Sequence, residues 1–407
     1  MRKFERWLLG ALLGLIAALV VLVLVGPLLD SEKATAPDEL GPGESETMTA
    51  RVDEIVEEGV AESPFAGLQH YQKLRLEILD GSLAGQKVIV EEGTVNIVGQ
   101  ERLFRAGDRV YLERAMGPQG DRLYITDFVR SGALLWIAVF FVGMVVLIGR
   151  GRGLRALVGT AFSMVVIFSF ILPQIRAGND PVVVCVIGAI VLLTASSYLV
   201  YGWTAKTHSA LIGMSLSLLL TALLAWLFVG WSRLSGFGSE EGAFILMELG
   251  PDVSLQGLVL GGIIIGSLGV LDDICIGQAS AIFELVNANR ELGWRELYHR
   301  SINIGRDHIA SLVNTLLLAY VGAAMPLMMV FTIYQEPILR RLSREPIAEE
   351  IVRTLVGSMG LVLAVPITSL IASIVAQWTA RRRHDDPEGR EVKEIPVPGA
   401  DASQATF

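Results

Sequence analysis

"QGLVLGGIIIGSLGVLDDICIGQASAIF", residues 256–283, carries only two charged side chains, the adjacent Asp272 and Asp273. About 20 consecutive apolar residues are enough for a helix to cross the hydrocarbon layer, so a stretch of this length reads as a span that tilts, breaks or re-enters. Seven more apolar runs of about 18–25 residues surround it, near 7–29, 132–149, 154–173, 181–201, 209–230, 309–332 and 351–378. The totals agree with that pattern: hydrophobic residues make up 52% of the 407, charged residues only 18%, and the mean hydropathy is +0.53. Such a composition excludes an ordinary soluble protein. The expected fold class is an all-α polytopic membrane bundle of about eight transmembrane helices, with a small β-barrel-like domain inserted on the extracytoplasmic side.

An even number of spans places both termini on one face of the membrane. Arg2, Lys3 and Arg6, then Arg150, Arg152, Arg155, Lys206, Arg290, Arg295, Arg300, Arg306 and Arg381 to Arg383 fall at alternate connections. That bias marks the cytoplasmic side and puts the N- and C-termini there. Arg340, Arg341 and Arg344 fall on the opposite side of this arrangement. Ala34-Thr35-Ala36 resembles a signal-peptide cleavage site, but the preceding apolar run exceeds a typical h-region, so residues 1–30 are read as an uncleaved anchor. Cys185 and Cys275 both lie in apolar segments and read as small buried hydrophobes rather than as a disulfide or metal ligands.

Residues 31–130 have the opposite character, with 19 Asp/Glu against 11 Lys/Arg, and so hold nearly all of the chain's net charge of −9. Residues 31–45 read as a Pro/Gly/Ser/Glu-rich tether. Over 46–130, "TARVDEIVEE", "QKLRLEILDG", "KVIVEEG", "DRVYLER" and "RLYITDFV" alternate apolar and polar positions as half-buried strands do. Five or six such strands suggest a small OB- or SH3-like barrel in the extracytoplasmic space. Its acidity argues against a nucleic-acid partner. Residues 131–380 form the seven-helix membrane core, and 381–407 a disordered cytoplasmic tail. "ELGWRELYHRSINIGRDH", 291–308, places Trp294, Leu297 and Tyr298 on one side of a helix, which is either interfacial or a solvated connector.

At helical spacing Gly262, Gly266, Gly269, Asp273, Gly277 and Ser280 form one stripe, and Asp272 sits about 100° away. Small residues let helices approach closely, so Gly262, Gly266, Gly269, Gly277 and Ser280 are expected to serve packing. An acid on that face would point into the bundle or a water-filled cavity, where it takes up a proton or holds a cation. Asp273 is therefore the leading candidate for an ion or proton path, with Asp272 beside it. Asn314 and Thr315 in the seventh run, and Pro366 in the eighth, could complete the path through side-chain polar groups and a freed backbone carbonyl. Too few hard oxygen ligands accompany the pair for a metal site, and no cofactor is implied.

The run Gly266–Leu285, with G-x-x-G-x-x-x-D ending at Asp273, resembles the YibE/F family of bacterial multi-pass membrane proteins. "NTLLLAYVGAAMPLMM" and "EEIVRTLVGSMGLVLAVPITSLIAS" extend the resemblance across about 250 residues of helical core. It implies a plasma-membrane protein and brings no substrate or catalytic residue. The sequence supports two functions, a secondary transporter or translocation channel with Asp273 in an ion- or proton-linked path, and a non-transporting scaffold or envelope-assembly factor that recruits a partner through its outer domain. No nucleophile elbow, HExxH or P-loop occurs, so an enzyme is not expected. The partners expected are the lipid bilayer and an unidentified solute or protein, and the sequence leaves the oligomeric state open.

Overall fold

Alternating apolar residues in 46–130 fold into five antiparallel strands: β1 Ser45–Ser63, β2 Gly67–Ile78, β3 Lys87–Glu92, β4 Arg109–Gly117 and β5 Gly120–Phe128. The computed structural model describes residues 45–63, 67–93, 103–117, 120–250, 253–333 and 336–385. The expected anchor at 7–29, the tether up to residue 44 and the tail beyond Asp385 lie outside these. Contacts divide the chain into two compact units that meet in sequence between Leu154 and Arg155.

The strands order as β3-β2-β1-β4-β5, with β1 paired to both β2 and β4, for example Ala50 opposite Ile78 and Val110. Period-two alternation sends Met48, Ala50, Val52, Leu74, Leu76, Ile78, Val110 and Leu112 to one buried face. Register shifts between Val52 and Glu54, between Ile55 and Glu57, and between Tyr111 and Leu112 bend the strands and curl the sheet into a half-barrel. The curl brings the Ile125 N–H of β5 to donate to Glu92 Oε1 at the end of β3, 3.3 Å away. Lys87 donates to Asp53 at 2.6 Å on the outer face and holds that carboxyl below its ordinary range.

Gln72 is the polar pin of this core. It is buried, its Nε2 donates to the Phe104 carbonyl at 3.2 Å, and its Oε1 accepts from the Phe104 N–H at 2.8 Å. Gln72→Ala should leave both backbone groups unpaired and cost about 1–3 kcal/mol. Amide exchange in the full-length protein is the check: protection should fall across β2 and residues 103–105, and stay unchanged in the helices.

The helical part comprises α1 Ser131–Val166, a π-helical turn Ile167–Ile171, α2 Leu172–Arg176, α3 Pro181–Tyr201, α4 Ala205–Trp231 and α5 Glu240–Leu249. It continues with α6 Leu255–Ala288, α7 Trp294–Ala323, α8 Met325–Ile333, α9 Ile338–Leu342 and α10 Glu345–Asp385. Side-chain caps start α3, α4, α5 and α6: Asp180 accepts from the Val182 and Val183 amides, Thr204 from Thr207, Ser239 from Gly242 and Ser254 from Gly257.

Five helical stretches among the described residues are long and apolar enough to cross a membrane: 131–176, 181–201, 205–231, 255–288 and 345–381. Of the eight expected spans, the run at 7–29 lies outside the described residues; the count otherwise differs at 132–173 and at 309–332. The runs at 132–149 and 154–173 are continuous within 131–176 but form two helices joined across a kink at Arg150 (φ 49°, ψ −136°). There the chain doubles back: a Cβ on Gly153 would lie 3.1 Å from the Val145 carbonyl carbon, whereas positions eight apart in a straight helix are about 12 Å apart. The run at 309–332 is divided at Ala324, between the end of α7 and a short α8 whose second residue is Pro326, so neither piece alone has the length of a span.

In the second unit α6 lies against α3, α4, α7 and α10. Glycines set the approach. A Cβ on Gly261 would meet Cys185 Sγ at 2.6 Å, one on Gly213 would lie 3.0 Å from the Thr368 Cα, and one on Gly305 would lie 2.5 Å from Gln278 Nε2. Both cysteines are buried and free, as expected of small apolar side chains. The 291–308 segment is not a separate interfacial helix. From Trp294 on it is the first half of α7, with Leu297, Ser301 and Gly305 buried, Tyr298 half-buried and Trp294 exposed.

Candidate functional site

Asp272 and Asp273 lie halfway along the 34 residues of α6, about 25 Å from either end. No charged side chain precedes them in the helix, and Ser254 caps its start, so the helix runs unbroken through the pair. Asp272 is half-buried, and its Oδ1 is enclosed without a hydrogen-bond partner among the described residues. Asp273 is exposed. The order of burial therefore differs from the expectation that made Asp273 the leading residue. Tyr201, at the end of α3, is half-buried and packs against the core that α6 shares.

The small-residue stripe is largely an open face. Gly262, Gly266 and Gly269 are exposed, and Gly277 and Ser280 are half-buried. Among the described residues nothing comes within 4 Å of a Cβ on Gly262 or Gly269. A Cβ on Gly266 would lie 3.2 Å from the Tyr320 hydroxyl, and one on Gly277 4.0 Å from the His308 ring, both of α7. So α7 crosses α6 with a phenol on one side of Asp273 and an imidazole on the other.

Of the other expected residues, Asn314 and Thr315 sit on exposed positions of α7, where Thr315 Oγ1 donates to the Ser311 carbonyl of its own helix at 3.0 Å. Among the described residues neither forms a hydrogen bond to the carboxylates. Pro366 is half-buried within α10. Two residues on, Thr368 Oγ1 donates to Cys275 Sγ at 3.1 Å, one turn beyond Asp272, so Pro366 lies close to the level of the pair. Lacking an N–H, it offers no helical donor to the Val362 carbonyl.

Gln278 marks the crossing of α6, α7 and α10. In the orientation that satisfies both ends of its amide, it donates to the Ser301 carbonyl and accepts from the Gly305 N–H, each at 3.2 Å. Sequence reasoning singled out neither Gln278 nor Tyr320, His308 and Tyr201, because the contacts of Gln278 and the nearness of the other three to α6 arise only through helix packing. Glu349 was also missed. It is 8% exposed, one turn into α10, with Oε1 unpartnered among the described residues. Its apolar neighbours Ile347, Ala348, Ile351 and Val352 were the available signal. One turn earlier Glu345 accepts from the Ser235 hydroxyl at 2.7 Å and the Gly236 N–H at 2.9 Å, tying α10 to the connection after α4.

Among the described residues no three His, Cys, Asp or Glu side chains gather as metal ligands would. The chemistry available is that of isolated carboxylates in a membrane interior: binding and releasing a proton, or neutralising a small cation with backbone and hydroxyl oxygens. No curated protein and no solved structure matches the chain. The YibE/F-like protein model matches residues 137–378, from the second expected run to the last, and leaves the five β-strands outside. More than half of the chain is covered, and the chain belongs to the YibE/F family of membrane proteins.

Proposed function

We propose that the protein is a secondary transporter or translocation channel of the bacterial plasma membrane, with Asp272 and Asp273 in an ion- or proton-linked path. One observation carries this reading: Asp272 sits at the middle of a membrane-crossing helix with an enclosed oxygen that no described residue pairs. Such a group costs free energy unless it exchanges a proton or an ion. The open glycine face beside Asp273 supports the reading, since it leaves room for water or solute along α6.

Charge supports cytoplasmic termini. Lys206, Arg290, Arg295 and Arg381 gather at the end of the bundle where α3, α6 and α10 finish. At the other end Arg344 pairs with Glu336 at 2.6 Å and holds that carboxyl below its ordinary range, which weakens one of the three contrary arginines as an orientation signal. The half-barrel sheet, of OB type in this reading, then faces the extracytoplasmic side.

The test is a scan of single cysteines at positions 262 to 280, in a protein with Cys185 and Cys275 replaced, using a membrane-impermeant thiol reagent from each side. Labelling with the period of 262, 266, 269, 273 and 277 is the expected result. If those positions stay unlabelled while 279 and 280 react, the face is lipid-covered and the path is absent. The scaffold alternative draws on the exposed Val56, Val60 and Ile89 of the sheet, and predicts that removing residues 45–130 abolishes function while the labelling pattern shows no water face.

A further inference from the structure

At the end of the bundle where α3, α6 and α10 finish, a cavity of about 170 Å³ opens between the start of α4, the end of α6 and the end of α10. Thr204, Lys206, Phe283, Asn287, Arg290 and Thr379 are among its lining residues. Its chemistry is mixed in a particular way. Phe283 and the neighbouring alanines supply an apolar wall, while two cations from different helices stand at its polar side. Neither the Lys206 nor the Arg290 side chain forms an ion pair or hydrogen bond with a described residue. The first turn of α4, a helix of 27 residues, adds its positive end and amides that have no helical acceptor.

Two tryptophans fix the depth of the cavity. Trp203 precedes Thr204 and is 76% exposed, and Trp378 precedes Thr379 and is 54% exposed. Exposed tryptophan at a span end marks the headgroup level of the bilayer. A soluble anion would meet only the cations, whereas a phospholipid would place its phosphate between Lys206 and Arg290 and its first acyl carbons against Phe283. We infer that this cavity binds the phosphate headgroup of an anionic phospholipid, a site distinct from the Asp272 path and independent of the transport reading.

The experiment uses the purified full-length protein in detergent, delipidated and then given phosphatidylglycerol, phosphatidylcholine or millimolar inorganic phosphate, with retained lipid counted by native mass spectrometry. Phosphatidylglycerol should be retained and phosphatidylcholine should not. The double variant Lys206→Gln, Arg290→Gln should weaken retention roughly thirtyfold, from the attraction that each basic side chain contributes near a membrane surface. Lys206→Arg with Arg290→Lys should restore it, since charge rather than shape is required, and this rescue separates loss of the site from misfolding. Equal retention by the double variant, or equal retention of phosphatidylcholine, overturns the inference. Displacement of phosphatidylglycerol by inorganic phosphate in a Lys206- and Arg290-dependent way would also overturn it, and would assign the cavity to a soluble phosphate compound.

Discussion

Asp272→Asn abolishes voltage-driven proton uptake by proteoliposomes of the full-length protein, down to the level of empty vesicles, while the melting temperature in detergent stays the same or rises. The two halves of this expected result come from one observation. Asp272 keeps an enclosed oxygen with no hydrogen-bond partner among the described residues, so the native fold gains nothing from its charge and bears its desolvation. Asparagine has nearly the same shape and removes that cost, but it cannot carry a proton. Asp273→Asn, at an exposed position of the same helix, should lower the rate without abolishing it. A structural acid behaves oppositely: its amide variant would melt earlier and leave uptake untouched. That outcome would remove Asp272 from the path and favour the scaffold reading.

The second large effect separates two kinds of glycine. Gly213→Leu should cost about 3 kcal/mol or more, because the side chain would enter the contact where α4 meets α10, 3.0 Å from the Thr368 backbone. Backbone cannot rotate away as a side-chain end can, so the two helices must separate. Gly262→Leu should be nearly neutral, since nothing described lies within 4 Å of a Cβ there. The comparison is read as thermal unfolding of both variants in the same detergent. A large loss at Gly262 with none at Gly213 would reverse the assignment of packing faces.

Much of the architecture was legible in the residues. Length and apolarity identified the membrane class, and the runs at 181–201, 209–230, 256–280 and 351–378 each fall within a single helix that satisfies the length of a crossing. Period two marked the strands around Met48, Leu74, Val90, Val110 and Ile125 before any pairing was known. The break at Arg150 was anticipated only as a connection between two runs. The division at Ala324 was not anticipated, because hydropathy is blind to backbone geometry and one proline reads equally as a kink or a stop.

The candidate site was only half legible. Helical periodicity identifies which residues share a face, and it sets Asp272 apart from the Asp273 stripe. Periodicity does not say which face meets protein. The glycines at 262, 266 and 269 were expected to serve packing; among the described residues nothing lies within 4 Å of a Cβ at 262 or 269, whereas tight approaches include Gly213, Gly261, Gly305 and Gly360, which no stripe distinguished. Local composition alone thus determined that this chain enters the membrane, where its helices and strands form, and that two acids stand mid-span. Which acid is enclosed, which glycines touch a neighbour and where Tyr320, His308 and the Lys206–Arg290 cavity lie were decided only when residues far apart in the chain packed, since burial belongs to pairs of helices and not to one helix read by itself.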